Sequence, residues 1–178
     1  MLWLSALLVA AALWSPRTPS RDVIVALNGM RQREGVAPLV VDGTLTSIAA
    51  HQARSQLECG RVGHFGCDGE YGFRDRMRKC AGLTRAAENV GSCASALNAT
   101  GMLLLWKASP AHRRNMFGAE YKAGGAGRAC GEGTCYWALV VAAPQTPCDA
   151  LTISNTTRNT LSLNALLILL CAVSWVAL

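Results

Sequence analysis

Residues 27–53 read LNGMRQREGVAPLVVDGTLTSIAAHQA, and the two halves of this stretch set up two helices with a break between them. The first half finishes a helix that Ser20 or Asp22 can cap, with Val23, Leu27 and Met30 on one face and Gly35 stopping it near Glu34. Val36 to Val41 holds Pro38 and reads as a short link. Thr44 can cap a second helix, in which Leu45, Ile48, Ala49, Gln52 and Ala53 fall at helical spacing, fraying near Cys59-Gly60. Gly60, Gly63, Gly66, Gly69 and Gly72 make residues 60–72 a loop, and a short helix is expected from Phe73 to Lys79. Residues 95–107 predict a third long helix, with Leu103 and Trp106 at a three-residue step. Two strand-like runs follow, around Tyr121–Ala129 and Thr134–Ala142, with a Cys130–Cys135 turn between them. Helices first and a hairpin last predict an α+β fold, helices packed on an antiparallel sheet.

The chain is 178 residues long, 51% apolar, 6% aromatic and 16% charged, with a formal charge of +6. The apolar share is inflated at the two ends, and nearly all the charge lies between Arg21 and Cys148. That middle of about 128 residues is enough for one core. A multidomain enzyme, a coiled coil, a repeat array and a disordered chain are excluded by size and pattern.

Residues 2–14 (LWLSALLVAAALW) read as the apolar run of a secretory signal peptide, cut after Ala12 or as late as Ser20. Residues 1–20 are assigned to it. At the other end, Ser154-Asn155-Thr156 is a small-residue triplet, Thr157 to Asn164 a polar spacer, and Ala165–Leu178 an apolar tail. These are the parts of a GPI-attachment signal, with Ser154 the first choice of attachment site and Asn155 or Asp149 next. The expected layout is a domain at 21–147, a linker with the attachment region at 148–160, and a removed hydrophobic signal at 161–178.

An exported chain with eight cysteines is read as disulfide-stapled. With Cys171 in the tail, short separations favour Cys59–Cys67, Cys80–Cys93 and Cys130–Cys135, which leaves Cys148 odd. A zinc site from Cys59, His64, Cys67 and Cys80 is the rival reading. Asn98-Ala99-Thr100 is a sequon on which a glycan is expected; Asn155-Thr156-Thr157 is a second, overlapping the attachment site. Arg74, Arg76, Arg78 and Lys79 read as a solvated basic face with an Asp75–Lys79 helical ion pair, or else as a contact for anionic lipid or glycan. His51 reads as structural. No nucleic-acid motif is present, so no nucleic-acid partner is expected.

Leu27-Asn28, Arg31, Gly35, Pro38-Leu39, Asp42, Leu45, Ala49 and Ala53 together resemble the opening of CAP-superfamily domains, the group of cysteine-rich secretory proteins, antigen 5 and pathogenesis-related 1. Further blocks follow in family order: Gly63-His64-Phe65, Phe73-Arg74-Asp75-Arg76 and Ala87-Glu88-Asn89-Val90. Trp106 with Ser109-Pro110-Ala111-His112-Arg113 and Asn115-Met116, then Tyr121 and Gly125-x-Gly127, complete the set. They span about 115 residues in the compact form of the family, and any one block alone is weak.

The resemblance implies a three-layer α-β-α sandwich with a small antiparallel sheet and a cleft lined by two histidines and acidic groups. His64, Glu88 and His112 carry over by motif, and Ser109 stands where the family has a fourth, acidic residue. Two imidazoles and a carboxylate can ligate zinc with water in the open position, so zinc is a possible cofactor with His64, His112 and Glu88 as ligands. Without metal they make a hydrogen-bonded pocket, and Glu88 can instead accept backbone N–H bonds and pin the loop before Val90. Glu70 or Glu120 could compensate for Ser109. The implied function is a GPI-anchored, extracellular surface antigen that binds a lipid, sterol or protein ligand at the cell surface and is no enzyme. The alternatives are a metal-dependent hydrolase using His64, Glu88 and His112, and a purely structural coat unit.

Overall fold

A computed structural model describes residues 19–67, 69, 72–78, 80, 83–144 and 172–173. Residues 1–18 of the signal segment, Glu70, Lys79, Cys148, Cys171 and the GPI-attachment region with Ser154 lie outside the described residues, whereas Pro19 and Ser20, assigned to the signal segment, are described.

The first helix, α1, runs Pro19–Arg33. Ser20 and Asp22 therefore lie inside its first turn rather than capping it, and the Ser20 hydroxyl instead accepts the Ala126 amide (3.2 Å). Gly35 adopts φ 71° beyond its end, as the sequence predicts. The link that follows contains a two-residue strand, β1 (Val40–Val41). The Asn28 amide fixes this link at both of its polar atoms, donating to Leu39 O (2.9 Å) and accepting from Leu39 N (2.7 Å).

Helix α2 spans Gly43–Cys59, and its cap is Asp42 rather than Thr44. The Asp42 carboxylate accepts the Leu45 amide at 2.8 Å from an extended backbone, which Thr44, already helical, cannot do. Gly60, with φ 64°, closes the helix. The short α3 covers Phe73–Met77.

Three elements depart from the sequence expectation. Leu83–Ala94 is a strand of 12 residues, β2, although its LTRAAENVGSCA composition is poor in strand formers. Pairing along β4 overrides that weak propensity. The third long helix is shorter than expected, α4 at Ala99–Ala108 capped by Asn98. The stretch after it, read as loop, is a separate helix, α5 (Pro110–Phe117), because a proline at the first helical position starts a helix as readily as it ends one.

The hairpin is β3 (Ala123–Gly131) and β4 (Thr134–Pro144), and Ala172–Val173 form β5. The sheet order is β1-β3-β4-β2-β5. The β1–β3 pair is parallel and the other pairs are antiparallel. β5 pairs only with Gly91 and Ser92.

Period-two alternation along β4 divides the core into two layers. Cys135, Trp137, Leu139 and Val141 join Val23, Ile24 and Leu27 of α1, Met102, Leu103 and Trp106 of α4 and Met116 of α5. Ala138, Val140 and Ala142 join Leu45, Ile48 and Ala49 of α2 with Phe73 and Met77 of α3. A Cβ on Gly125 or Gly127 would strike the backbone of α2 at Leu45–Thr46 or Ala49–Ala50, so these glycines let helix and strand meet main chain to main chain.

Arg31 is fully buried, and carbonyl oxygens surround its guanidinium. It donates to Ala37 O (2.8 Å), Met116 O (2.7 Å), Gly118 O (3.3 Å) and Tyr121 O (3.2 Å). Burial pulls its pKa down from the ordinary value.

Cys59–Cys67 and Cys130–Cys135 are disulfides, as spacing predicts. The expected Cys80–Cys93 pair is not formed. Cys93 is a buried thiol, whereas Cys80 is disulfide-bonded to a partner outside the described residues. Register explains the difference: Cys93 stands opposite Cys135 within the sheet, while Cys80 precedes β2.

Candidate functional site

His64 lies in the glycine-rich loop after α2, and a buried glutamine of that helix holds the loop. Gln52 donates its side-chain amide to the carbonyls of Gly63 and Phe65, on either side of His64. The imidazole is buried, with Nδ1 2.9 Å from Glu88 Oε2 on β2. A carboxylate at Nδ1 favours a proton on that nitrogen.

Arg76 of α3 completes this group. Its Nη2 donates to both carboxylate oxygens of Glu88, at 2.8 and 3.0 Å, and its Nη1 donates to the His64 carbonyl at 3.2 Å. The Glu88 side chain is fully buried. The guanidinium thus matches the carboxylate with a charge and ties the His64 loop to α3. The sequence reading left Arg76 on a solvated face, and the structure corrects it. Arg74 and Arg78 of the same run are exposed, and Asp75 pairs with Arg78 (3.1 Å). The helical step separates Arg76 from its neighbours: in FRDRM the buried positions are Phe73, Arg76 and Met77.

His112 comes from the opposite layer, in the first turn of α5. Its carbonyl accepts Asn89 Nδ2 (3.1 Å), and Asn115 Nδ2 donates to Asn89 Oδ1 (2.9 Å), which docks the helix on β2. Neither ring nitrogen of His112 has a hydrogen-bond partner among the described residues, although the side chain is fully buried. Burial first, and the neighbouring His64 second, lower its pKa to about 4. Ser109 sits at the N-cap of α5 without using its hydroxyl as a cap, and that hydroxyl is likewise buried without a partner.

All four residues expected from the sequence are therefore buried. His64 and Glu88 are in direct contact, His112 lies within electrostatic reach of His64, and Ser109 is one turn before His112 on the same helix. Glu120 does not join them; it pairs with Arg85 at an exposed position (3.1 Å). His51 is half-buried on α2.

A zinc ion does not fit this arrangement as it stands. Both oxygens of Glu88 are engaged by a guanidinium, and Ser109 adds no anionic donor. Among the described residues no group of three or more His, Cys, Asp or Glu side chains is placed to hold a metal. The rival Cys59/His64/Cys67/Cys80 site has no thiolates to offer, since its cysteines are in disulfides. Asn98 is exposed, and its Oδ1 accepts the Gly101 amide (3.0 Å). Among the described residues no helix is long and apolar enough to cross a membrane.

Residues 25–142 match the model of the cysteine-rich secretory protein family, and the chain belongs to that family. Its fold is similar to that of an extracellular protein containing an SCP domain from Bacillus anthracis (TM-score 0.58, 18% identity), over 72% of this chain and 45% of that one. An outer surface protein from Borrelia burgdorferi is similar over 70% of this chain and 92% of its own (TM-score 0.62, 16% identity). A cysteine-rich secretory protein from Staphylococcus aureus matches over 71% and 40% (TM-score 0.52, 20% identity). The chain spans less than half the length of the Bacillus and Staphylococcus proteins. No curated protein matches the chain in sequence.

Proposed function

We propose that this protein is an extracellular binding module. It is secreted after loss of residues 1–20, held at the outer leaflet by a GPI anchor at Ser154, and takes its ligand at the cleft of His64, Glu88, Ser109 and His112. The observation that carries the reading is the pairing of a self-satisfied Arg76–Glu88–His64 group with three buried polar atoms, two on His112 and one on Ser109, that have no partner among the described residues. Buried polar atoms are ordinarily satisfied, so a hydroxyl or amide from a ligand, or water in its absence, is the natural complement. A sterol or lipid hydroxyl both donates and accepts, which suits a neutral imidazole beside a serine; a polar protein segment is the other class of ligand.

Nothing in the arrangement favours the hydrolase reading. Glu88 is committed to Arg76 and His64, and no serine or cysteine is aligned with a base among the described residues. A panel of peptide and ester substrates is expected to give no turnover. Turnover lost in both His64→Ala and Glu88→Gln would overturn that.

The full chain expressed in a secretory host is expected on the cell surface, released by phosphatidylinositol-specific phospholipase. Native mass spectrometry of the released protein with cholesterol and a whole-lipid extract should show an adduct that disappears in His112→Ala/Ser109→Ala. An adduct indifferent to that variant would remove the cleft from the proposal. Protein retained on cells after the phospholipase would remove the GPI anchor.

A further inference from the structure

The tail strand β5 pairs with the domain along the outer edge of β2, where Val173 stands opposite Gly91 and Ala172 opposite Ser92. The backbone groups of β2 alternate between its two neighbours. Ser95 N donates to Gly133 O on the β4 side (2.8 Å), so Cys93 and Gly91 bond β4, while Val90, Ser92 and Ala94 turn their backbone groups outward. The domain supplies its own donors to two of these. Trp106 Nε1 donates to Val90 O (3.0 Å), and Leu97 N donates to Ala94 O (3.0 Å). Ser92 lies between them, 8% exposed, and its outward N–H and C=O face Ala172 of β5.

We infer that this edge of β2 is a strand-acceptor site for an extended, uncharged segment of a protein partner, in which a small residue is followed by a β-branched aliphatic one. The chain's own occupant sets that chemistry. Ala172 shares with Ser92 the face turned to α2 and α3, where Val90 also packs. Val173 shares with Gly91 the face turned to α1 and α4, where Cys93 also packs. Gly91 puts no side chain between Val173 and Trp137, its partner on β4, so a branched aliphatic group is accommodated there.

The seat suits exchange of one strand for another. β5 has two residues and is reached from Pro144 across residues 145–171, so few bonds hold it at the end of a long connection. Such a tether gives the tail an effective concentration on the order of a millimolar, which an external strand at similar concentration matches. Loss of the tail at the proposed GPI attachment leaves the same edge open, and only in that clause does the inference rest on the anchor reading. An open strand edge joins another chain through backbone hydrogen bonds, with the alternate side chains adding selectivity.

The test uses the full chain expressed in a secretory host, with its intact mass showing whether the tail is retained. The probe is the peptide of residues 170–175 with Cys171→Ser, Leu-Ser-Ala-Val-Ser-Trp, blocked at both ends. On tail-free protein, the peptide at roughly millimolar concentration is expected to slow amide hydrogen exchange at Ser92 about tenfold. The same peptide N-methylated at the position of Ala172 lacks the N–H that meets Ser92 O and is expected to leave exchange unchanged. A retained tail removes the GPI anchor from the proposed function and moves the test to Ala172→Pro, whose tail lacks that N–H. Ser92 should then exchange about tenfold faster in Ala172→Pro than in wild type, and the peptide should slow it again. Exchange at Ser92 that ignores the peptide, or that slows equally with the N-methylated one, overturns the inference. So does equal exchange in tail-bearing wild type and Ala172→Pro.

Discussion

Arg76 and His112 meet burial with opposite chemistry. Arg76 keeps its charge because Glu88 matches it; removing it leaves a carboxylate with no counter-charge in the interior. Arg76→Met is expected to cost about 3–5 kcal/mol, read as a fall in the urea midpoint, and a midpoint within experimental scatter of wild type would mean that the buried pair is not formed. His112 stays neutral instead, with its pKa lowered to about 4 by burial and by His64. In the unfolded chain it takes up a proton near the ordinary histidine value, so from there down to about pH 4 the unfolded state binds more protons and stability falls with falling pH. The depression corresponds to about 3 kcal/mol over that window. Denaturation of wild type and His112→Asn between pH 7 and 4 is therefore expected to show a shallower loss in the variant. Parallel curves would show that His112 is protonated in the folded protein.

At the scale of elements, the pieces with clean periodicity were legible and those defined by partners were not. Val23, Leu27 and Met30 declare α1, and Leu45, Ile48 and Ala49 declare α2, because each set falls on one face. β2 hides because Ala87-Glu88-Asn89 has little intrinsic strand preference and its polar side chains find partners only in the folded state. α5 hides because Ser109-Pro110 also spells a turn. The cap of α4 makes a separable prediction. Asn98 caps through Oδ1, which leaves Nδ2 available to carry a sugar. Thr100→Ala should abolish the glycosidase-sensitive gel shift and leave thermal stability near that of the deglycosylated wild type, whereas Asn98→Ala should lose the shift and about 1 kcal/mol as well. Equal melting of the two variants would discount the cap. Gly127→Ala forces a methyl into the α2 backbone and is expected to cost about 1–3 kcal/mol or more; a neutral outcome in chemical denaturation would mean that α2 can lift from the sheet.

On the scale of the whole molecule, the site is assembled from a loop, two strand and helix layers and a helix N-terminus that the chain visits far apart. His64, Glu88 and His112 could be proposed because they sit in ordered blocks shared with the family that matches residues 25–142, and Ser109 because it stands where those blocks have an acidic residue. Arg76 could not, since one buried arginine in an Arg-rich run looks like its exposed neighbours until α3 is docked. The expected Cys80–Cys93 pair does not form, because strand register rather than sequence separation decides which sulfurs meet: Cys93 stands opposite Cys135 in the sheet, while Cys80 is disulfide-bonded to a partner outside the described residues. Arg31 is the corresponding device for the global fold, joining α1 to the turn before β3. Arg31→Met removes charge-assisted bonds to several carbonyls and is expected to cost on the order of 3 kcal/mol, seen as a lower midpoint in denaturant. No change would show that the carbonyls find other donors.

Three of the carbonyls that Arg31 reaches, those of Met116, Gly118 and Tyr121, lie 85 to 90 residues further along the chain. A polypeptide made from its N-terminus therefore completes α1 long before the carbonyls of Met116, Gly118 and Tyr121 exist, and until then the guanidinium stays in water. The first helix cannot lock at birth. Asn98 is synthesised within that interval, ahead of Met116, so the sequon is presented to any modifying enzyme on a chain that is still open. Closure around Arg31 therefore comes only after the sequon has been made, and Asn98 stays exposed once the fold is complete.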